Sequence, residues 1–385
     1  MRLDLKKILY LINFLISFGY NAVSKIFPAF LATFSYSAFQ ISLVSSVYNI
    51  GRLIMGIFGG FLADRFGKRN SLFISMMAIG IFSSLLAYGR TIEWFTMIFF
   101  FLGIFSSLFY LSINAIVTVV NEKKGKSLSK MEAAYQVGFI AGPFVGGAIA
   151  LTYGMNPLFF AWSIIMLIGG VLISRVESQD SRNSMKSVAN DYLKIVRSDP
   201  LDFLLLIVIG TIFIGTIEGA RDIIIPLYAV DLGYDIFKIG AIFTISSIVT
   251  MIGIIPLGNF ADKAGRKKVL ILSFAMIGSS FILLRFFTGF LSISLLVGLL
   301  SLGRTAGLMG VRAFASDISS HGSRATSLSA IESILSIGRI AGALLAGFLK
   351  DSMDVASIFR IFFWFSIMII AVYLIFLKRK KISAS

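Results

Sequence analysis

Apolar residues in this chain fall in long blocks separated by short polar breaks. The blocks cover 8–32, 38–61, 70–88, 94–120, 131–153 and 156–174, then 201–230, 236–260, 267–288, 290–315, 325–349 and 355–377. Crossing a hydrocarbon core of ~30 Å takes about 20 helical residues, so each block is long enough to span a bilayer. Polarity does not alternate from residue to residue as it would in strands of a transmembrane barrel. The pattern predicts an all-α polytopic membrane protein with twelve transmembrane helices. The one long polar stretch lies at 175–200 and carries Arg175, Glu177, Asp180, Arg182 and Lys186. The expected organisation is a six-helix bundle at 1–174, a cytoplasmic linker at 175–200 and a second six-helix bundle at 201–385. Within the linker, Val188, Leu193, Ile195 and Val196 among charges fit either a surface helix on the inner leaflet or a plain tether.

A repeat joins the two bundles. Gly60-Phe61-Leu62-Ala63-Asp64-Arg65-Phe66-Gly67-Lys68-Arg69 returns 198 residues later as Gly258-Asn259-Phe260-Ala261-Asp262-Lys263-Ala264-Gly265-Arg266-Lys267. Pro28 and Pro226 stand at the same offset. Repeats of this length mean duplicated structural units, here two pseudo-symmetric six-helix bundles. In membrane chains, paired bundles belong to transporters with a site near the midplane between the repeats. Each copy reads as a short charged loop between two apolar blocks. The apolar run after Met1–Lys7 is too long for a signal sequence and has its counterpart in the second half.

Composition agrees. Hydrophobic residues make up 57% and charged residues 14%, against about 25% charged in soluble domains. The net charge of +16 is read as basic loops on the cytoplasmic face rather than as a nucleic-acid footprint. Lys6, Lys7, Arg65, Lys68, Arg69, Lys123, Lys124, Lys126, Lys130, Lys263 through Lys268 and Lys378 through Lys381 all fall on one side, while Lys238 and Lys350 are among the few on the other. This places both termini in the cytoplasm of a multi-pass plasma-membrane protein. There is no cysteine, and His321 is the single histidine. Disulfides, thiol chemistry and Cys/His metal clusters are thereby excluded, and no cofactor is expected. Gly125-Lys126-Ser127 imitates the end of a phosphate loop, but Val120 stands where its first glycine belongs. No catalytic motif accompanies these features, so the chain is not read as an enzyme.

At the duplicated stretch the chain resembles the major facilitator superfamily, whose members carry G-x-L-a-D-R-x-G-R-K between the second and third spans and a weaker copy between the eighth and ninth. The resemblance covers the whole chain. It implies alternating access, with Gly60, Asp64, Arg65, Gly67, Lys68 and Arg69, and their partners Gly258, Asp262, Lys263, Gly265, Arg266 and Lys267, acting as a conformational switch that gates the inner side. The fifth span holds Gly138, Gly142, Pro143, Gly146 and Gly147. These match that family's antiporter signature, G-x-x-x-G-P-x-x-G-G, and the match leans toward export by exchange. Small residues at i, i+4 and i+8 make a groove for a neighbouring helix; Gly338, Gly342 and Gly347 echo it in the eleventh span without the proline. Proton-coupled exporters of this family often carry an arginine early in the fourth span, and Phe99 to Ser107 has none.

Ionisable side chains deep in a span are costly and point to function. Arg52, Glu218, Arg221, Asp222, Arg304 and Arg339 lie near mid-span, with Lys25 displaced toward the outside. Glu218 is the favoured proton-coupling residue and Asp222 its rival; a structural pair of Glu218 with Arg221 is the other reading. The resemblance makes the first, fourth, seventh and tenth spans cavity-lining, so Lys25, Arg221, Arg304, Asn21 and Asn114 are candidates for the substrate cavity. Asn13, Asn21, Asn114 and Gln136 also fit polar links between helices. Arg52 and Arg339 also suit helix interfaces, bonded to backbone carbonyls. Glu132 and Glu332 begin the fifth and eleventh spans, where acids either favour the helix N-terminus or meet arginines of an inner latch. Trp94, Trp162 and Trp364 read as interfacial anchors. The expected function is proton-coupled export of a small amphipathic or drug-like compound by a monomeric secondary transporter. Its partners are that small molecule, protons and the lipid bilayer, with no nucleic acid. The alternative is uptake or exchange of an organic anion or other small metabolite, which the surplus of midplane positive charge favours.

Overall fold

The computed structural model describes residues 5–120, 124–174, 207–264, 266–318 and 324–382. Among the described residues each of the twelve expected spans holds a helix, and no strand occurs. The first half comprises Leu5–Ser24 with Phe27–Ala32, then Ala38–Phe66, Lys68–Leu85, Ile92–Val120, Lys124–Tyr153 and Met155–Ser174. The second comprises Gly210–Asp231, Ile236–Ala264, Arg266–Leu284, Phe290–Ile318, Arg324–Ser352 and Val355–Ile382. Among the described residues nine helices are long and apolar enough to cross a membrane. The 175–200 linker lies outside the described residues.

Helix starts are fixed by caps at related positions. Ser37 Oγ accepts from the Gln40 amide while Gln40 Oε1 accepts from the Ser37 amide, a reciprocal box that opens the second span. Asp235, 198 residues on, accepts from the Lys238 amide at 2.7 Å and opens the eighth. Asp354 caps the twelfth by accepting from the amide and hydroxyl of Ser357, and these bonds hold its carboxyl below the usual carboxylate range.

Two expectations change. The duplicated charged stretch is mostly not a loop: residues through Phe66 continue the second-span helix, and Lys68 already begins the third. The whole turn is Gly67, at φ 85°, a backbone conformation that costs a residue with a Cβ. In the second copy the helix likewise runs to Ala264 and the next begins at Arg266. The first span, in turn, is two helices, interrupted at Lys25 and Ile26. Pro28 sits in the first turn of the short second helix, where a missing N–H is tolerated. Its counterpart Pro226 lies inside a continuous helix.

By compactness the chain forms two units, one of Met1–Met185 with Ile225–Thr244 and the other of Lys186–Ile224 with Ile245–Ser385. In the first unit the second span packs on the fourth, the first on the fifth, and the third on the fourth and sixth. Phe27 anchors its core, stacked on Phe99 and edge-on to Phe95 and Phe159. Ile225–Thr244 joins this unit through the fifth span. There Thr244 Oγ1 donates to the Ile140 carbonyl at 2.9 Å, Phe237 meets Phe144, and Gly240 abuts the Pro143 carbonyl. In the second unit the ninth span packs on the tenth and twelfth, repeating the arrangement of the third on the fourth and sixth. Phe213, Phe274, Phe281, Phe359 and Phe362 fill its interior.

The closest helix pairs are backbone-to-backbone contacts made possible by glycine. A Cβ on Gly138 would lie 2.5 Å from the Phe14 carbonyl oxygen, and one on Gly142 2.6 Å from that of Phe18. The seventh and eleventh spans repeat this contact: a Cβ on Gly338 would lie 2.5 Å from the Ile212 oxygen, and Gly342 meets the Thr216 oxygen. Ile212 and Thr216 are Phe14 and Phe18 plus 198, and Gly338 and Gly342 are Gly138 and Gly142 plus 200. The duplication therefore holds at atomic contacts as well as in the loop motif. We expect Gly142→Leu to lower the apparent unfolding temperature of detergent-purified protein, since overpacking costs about 1–3 kcal/mol. Gly56→Ala, where nothing lies within 4 Å, should be neutral or stabilising by up to about 1 kcal/mol.

Candidate functional site

The charged side chains of the second unit converge. Glu218 projects from the seventh span, and its Oε2 accepts from Arg304 Nη1 of the tenth at 3.3 Å and from Arg339 Nε of the eleventh at 3.0 Å. Arg304 also reaches Thr305 Oγ1 at 3.2 Å. One turn along the seventh span, buried Arg221 grips Asp222 Oδ1 through Nε at 2.9 Å and Nη2 at 2.6 Å, and donates from Nη1 to Ser301 Oγ at 2.9 Å. Ser301 in turn shares a 2.8 Å hydrogen bond with Ser246 of the eighth span. Four helices thus meet through one polar network inside an apolar bundle. Three arginines face two acids, a surplus of one positive charge (3 − 2).

This assembly revises the expected pairings. Arg221 binds its neighbour Asp222, and Glu218 also takes cations from the tenth and eleventh spans. Arg339, read both as a deep functional charge and as a helix-interface residue suited to backbone carbonyls, donates from Nε to the Glu218 carboxylate. The physical reason lies beside it. Gly215 and Gly219, flanking Glu218, sit against the carbonyl oxygens of Leu335 and Arg339. At that spacing the Arg339 side chain arrives alongside Glu218. Ser301, Ser246 and Arg312 were not singled out by sequence reasoning. Arg312 lies eight residues after Arg304 on the same helix, a helical spacing that would have flagged it.

The first unit holds different chemistry. Lys25 stands at the break of the first span, 6% exposed, with its ammonium 5.7 Å from the Phe139 ring centre and 5.6 Å from that of Phe243. Both ring faces lie within cation–π reach. Asn21 is buried and donates to the Ser17 carbonyl, Asn13 donates to the Met131 carbonyl, and Gln136 bonds Glu132. The Asn13 bond links the first span to the fifth, and the other two each lie within one helix. Asn114 is exposed on the fourth span. Arg52 lies within electrostatic reach of the tyrosine pair Tyr110 and Tyr135. Trp162 is not an interfacial anchor: it is 3% exposed, edge-on to Tyr20 and pressed on Gly19. Trp364 is largely exposed, and Trp94 donates to the Leu85 carbonyl.

Of the duplicated charged stretch, Arg65 is exposed, Lys68 is buried, and Arg69 Nε donates to the Ile173 carbonyl at the end of the sixth span. The side chains of Asp64, Asp262, Lys263, Arg266 and Lys267, and Gly265 itself, lie outside the described residues. The signature glycines Gly138, Gly142 and Gly146 line the contact with the first span, and Gly147 meets Phe237. Pro143 lies inside the fifth helix. No cluster of three potential metal ligands occurs among the described residues.

Replacing Glu218 by Ala leaves two part-buried guanidinium groups without that carboxylate, a change expected to destabilise by about 3–5 kcal/mol. Asp222→Ala, at a one-quarter exposed position, should cost less. Replacing Glu218, Arg304 and Arg339 together by Leu and Met should recover much of the loss. Apparent unfolding temperatures in detergent would check the order.

Comparison with known proteins gives three findings. The family model described as Major Facilitator Superfamily matches residues 9–235 and 207–385. An uncharacterised MFS-type transporter of Methanocaldococcus jannaschii is 22% identical over 370 residues, covering 94% of this chain and 95% of that protein. Multidrug resistance protein 2 of Bacillus subtilis is 26% identical over 280 residues, 68% of each. Among solved structures, the nucleoside transporter NupG superposes with a TM-score of 0.79 at 16% identity, covering 98% of this chain and 100% of that one. A bacterial homologue of the human lysosomal transporter Spinster gives 0.74 at 15% identity, covering 90% and 81%. At these identities the structural likeness shows the fold alone.

Proposed function

The chain belongs to the Major Facilitator Superfamily, and we propose that it is a proton-coupled exporter of small amphipathic or drug-like compounds, working by alternating access in the plasma membrane. It is a multi-pass membrane transporter and not an enzyme. The observation that carries the coupling is the shared ion pair of Glu218. One carboxylate oxygen holds arginines from two other helices. A proton taken up by Glu218 removes the charge that both guanidinium groups bind. Protonation is thereby tied to the contacts of the seventh span with the tenth and eleventh, and a ligand shifts a conformational equilibrium only through such a difference between states.

Export is supported by the fifth-span signature, whose glycines bring backbones into contact, and by the multidrug-resistance relative. The basic residues support a cytoplasmic location for both termini, and the reading takes the transporter as a monomer. Asp64 and Arg65 act as switch residues rather than substrate ligands. A second reading, transport of an organic anion, is favoured by the surplus positive charge around Arg304.

Purified protein in vesicles with an acidic lumen distinguishes the two. Accumulation of a fluorescent hydrophobic cation such as ethidium supports export, and accumulation of a labelled carboxylate instead rejects it. Glu218→Gln should abolish pH-driven accumulation while leaving equal-pH exchange measurable; surviving proton coupling would move the carrier elsewhere, with Asp222 next. Asp64→Asn should slow turnover more than it weakens substrate binding, and an unchanged transport rate would remove Asp64 from the switch.

A further inference from the structure

Five side chains of the seventh, tenth and eleventh spans form a ladder of alternating charge. Arg304 and Arg339 share Glu218 Oε2. Arg339 Nη1 lies 3.9 Å from Glu332 Oε2, and Glu332 Oε1 accepts from Arg312 Nη2. The signs run plus, minus, plus, minus, plus. Burial grades along it: Arg304, Glu218 and Arg339 are 16%, 16% and 14% exposed, while Glu332 and Arg312 are 41% and 46%. Arg304 and Arg312 are eight residues apart on one helix, and Glu332 and Arg339 seven apart on the next, so each helix presents two rungs on one face.

Arg339 reaches both acids, bonded to Glu218 at 3.0 Å and at the edge of ion-pair range from Glu332 at 3.9 Å. A guanidinium does not give up its proton, so protons do not pass along the ladder. What can pass is the partner of Arg339. We infer that Arg339 and Glu332 are positioning residues that carry the protonation state of Glu218 to the far rungs of the tenth and eleventh spans. With Glu218 charged, Arg339 is held there and Glu332 binds Arg312. With Glu218 protonated, a small rotation turns Arg339 to Glu332, and Arg312 is released. The Glu332–Arg312 pair suits such an exchange, because an ion pair this exposed is weak.

Charged groups facing the two acids come from each neighbouring element. Glu218 faces Arg304 on the tenth span and Arg339 on the eleventh, with Arg221 and Asp222 on its own helix. Glu332 faces Arg312 on the tenth and Arg339 on its own. The eighth span reaches the network with the hydroxyl of Ser246. This inference rests on the reading of Glu218 as the coupling acid and adds to it a route to a second site.

The chain has no cysteine, so spin labels can be placed at Met309→Cys and Ile337→Cys, two exposed positions on the tenth and eleventh spans. In reconstituted full-length protein the label distance should change on acidification. Glu218→Gln should give the acid-side distance at every pH, and Glu332→Gln should show no pH-dependent change. In ethidium transport, Glu332→Gln should reduce pH-driven accumulation about tenfold, an ordinary size for coupling between sites, while equal-pH exchange continues. Glu332→Asp should restore both readouts. A wild-type distance change and wild-type accumulation in Glu332→Gln would overturn the ladder while leaving Glu218 as the coupling acid. Loss of exchange as well, unrescued by Asp, would also overturn it by showing a purely structural role. Proton-driven accumulation in Glu218→Gln would instead sink the coupling reading beneath it.

Discussion

A carboxylate inside an apolar helix bundle is tolerated when cations meet it there, and Glu218 is met by two. Ionised groups withdrawn from water are costly, and close pairing offsets that cost only with good geometry. The geometry here begins in the backbone. Gly215 and Gly219 bring the seventh span against the carbonyls of Leu335 and Arg339, and Gly338 and Gly342 return the contact from the other side. A side chain larger than hydrogen at these positions would push the helices apart and carry Arg339 away from Glu218. The glycine stripe and the ion pair are therefore one device, the first setting the spacing that the second needs.

Comparison of the two halves locates what is special. At the offset of 198, Tyr20 and Ser106 stand where the second half has Glu218 and Arg304; at 200, Phe139 stands for Arg339. The fifth-span glycines make the same backbone contact as their eleventh-span counterparts. Shared packing with divergent side chains is what duplication followed by specialisation leaves behind. The first unit kept aromatic packing at these places, with Lys25 between Phe139 and Phe243. Lys25 thus meets ring faces, while Arg221, Arg304 and Arg339 of the second unit meet carboxylates.

The fold was legible because lipid imposes a coarse rule: about 20 apolar residues per span and charges at the ends. The blocks, the repeat and the glycine grooves follow from that rule and appear as helices and contacts. Finer features depend on rotation about helix axes, which block patterns do not encode. Arg304 and Arg339 were each visible as deep charges, yet which acid they meet is decided by how the tenth and eleventh helices turn toward the seventh. Trp162 looked like an anchor because tryptophan near a span end usually is one, and Gly19 opposite it supplied the space that buries it. The charged repeat looked like a loop because Gly67 and the basic residues suggest a turn, but a helix can continue beyond the bilayer once its polar residues reach water. The break at Lys25 was foreshadowed by Pro28, although Pro226 interrupts nothing in the related helix. A proline permits a break there; the surrounding contacts decide whether one forms.

The seventh-span helix, Gly210–Asp231, is shared between the two compact units. Through Ile224 it belongs to the second compact unit, and from Ile225 onward to the first. Glu218, Arg221 and Asp222 lie on the near side of that division, and Pro226 lies two residues beyond Ile224. A continuous helix is stiff along its axis, because each turn is tied to the next by backbone hydrogen bonds. Proline removes one of those bonds and is where such helices most readily bend. Glu218 lies about two turns before that proline on the same helix.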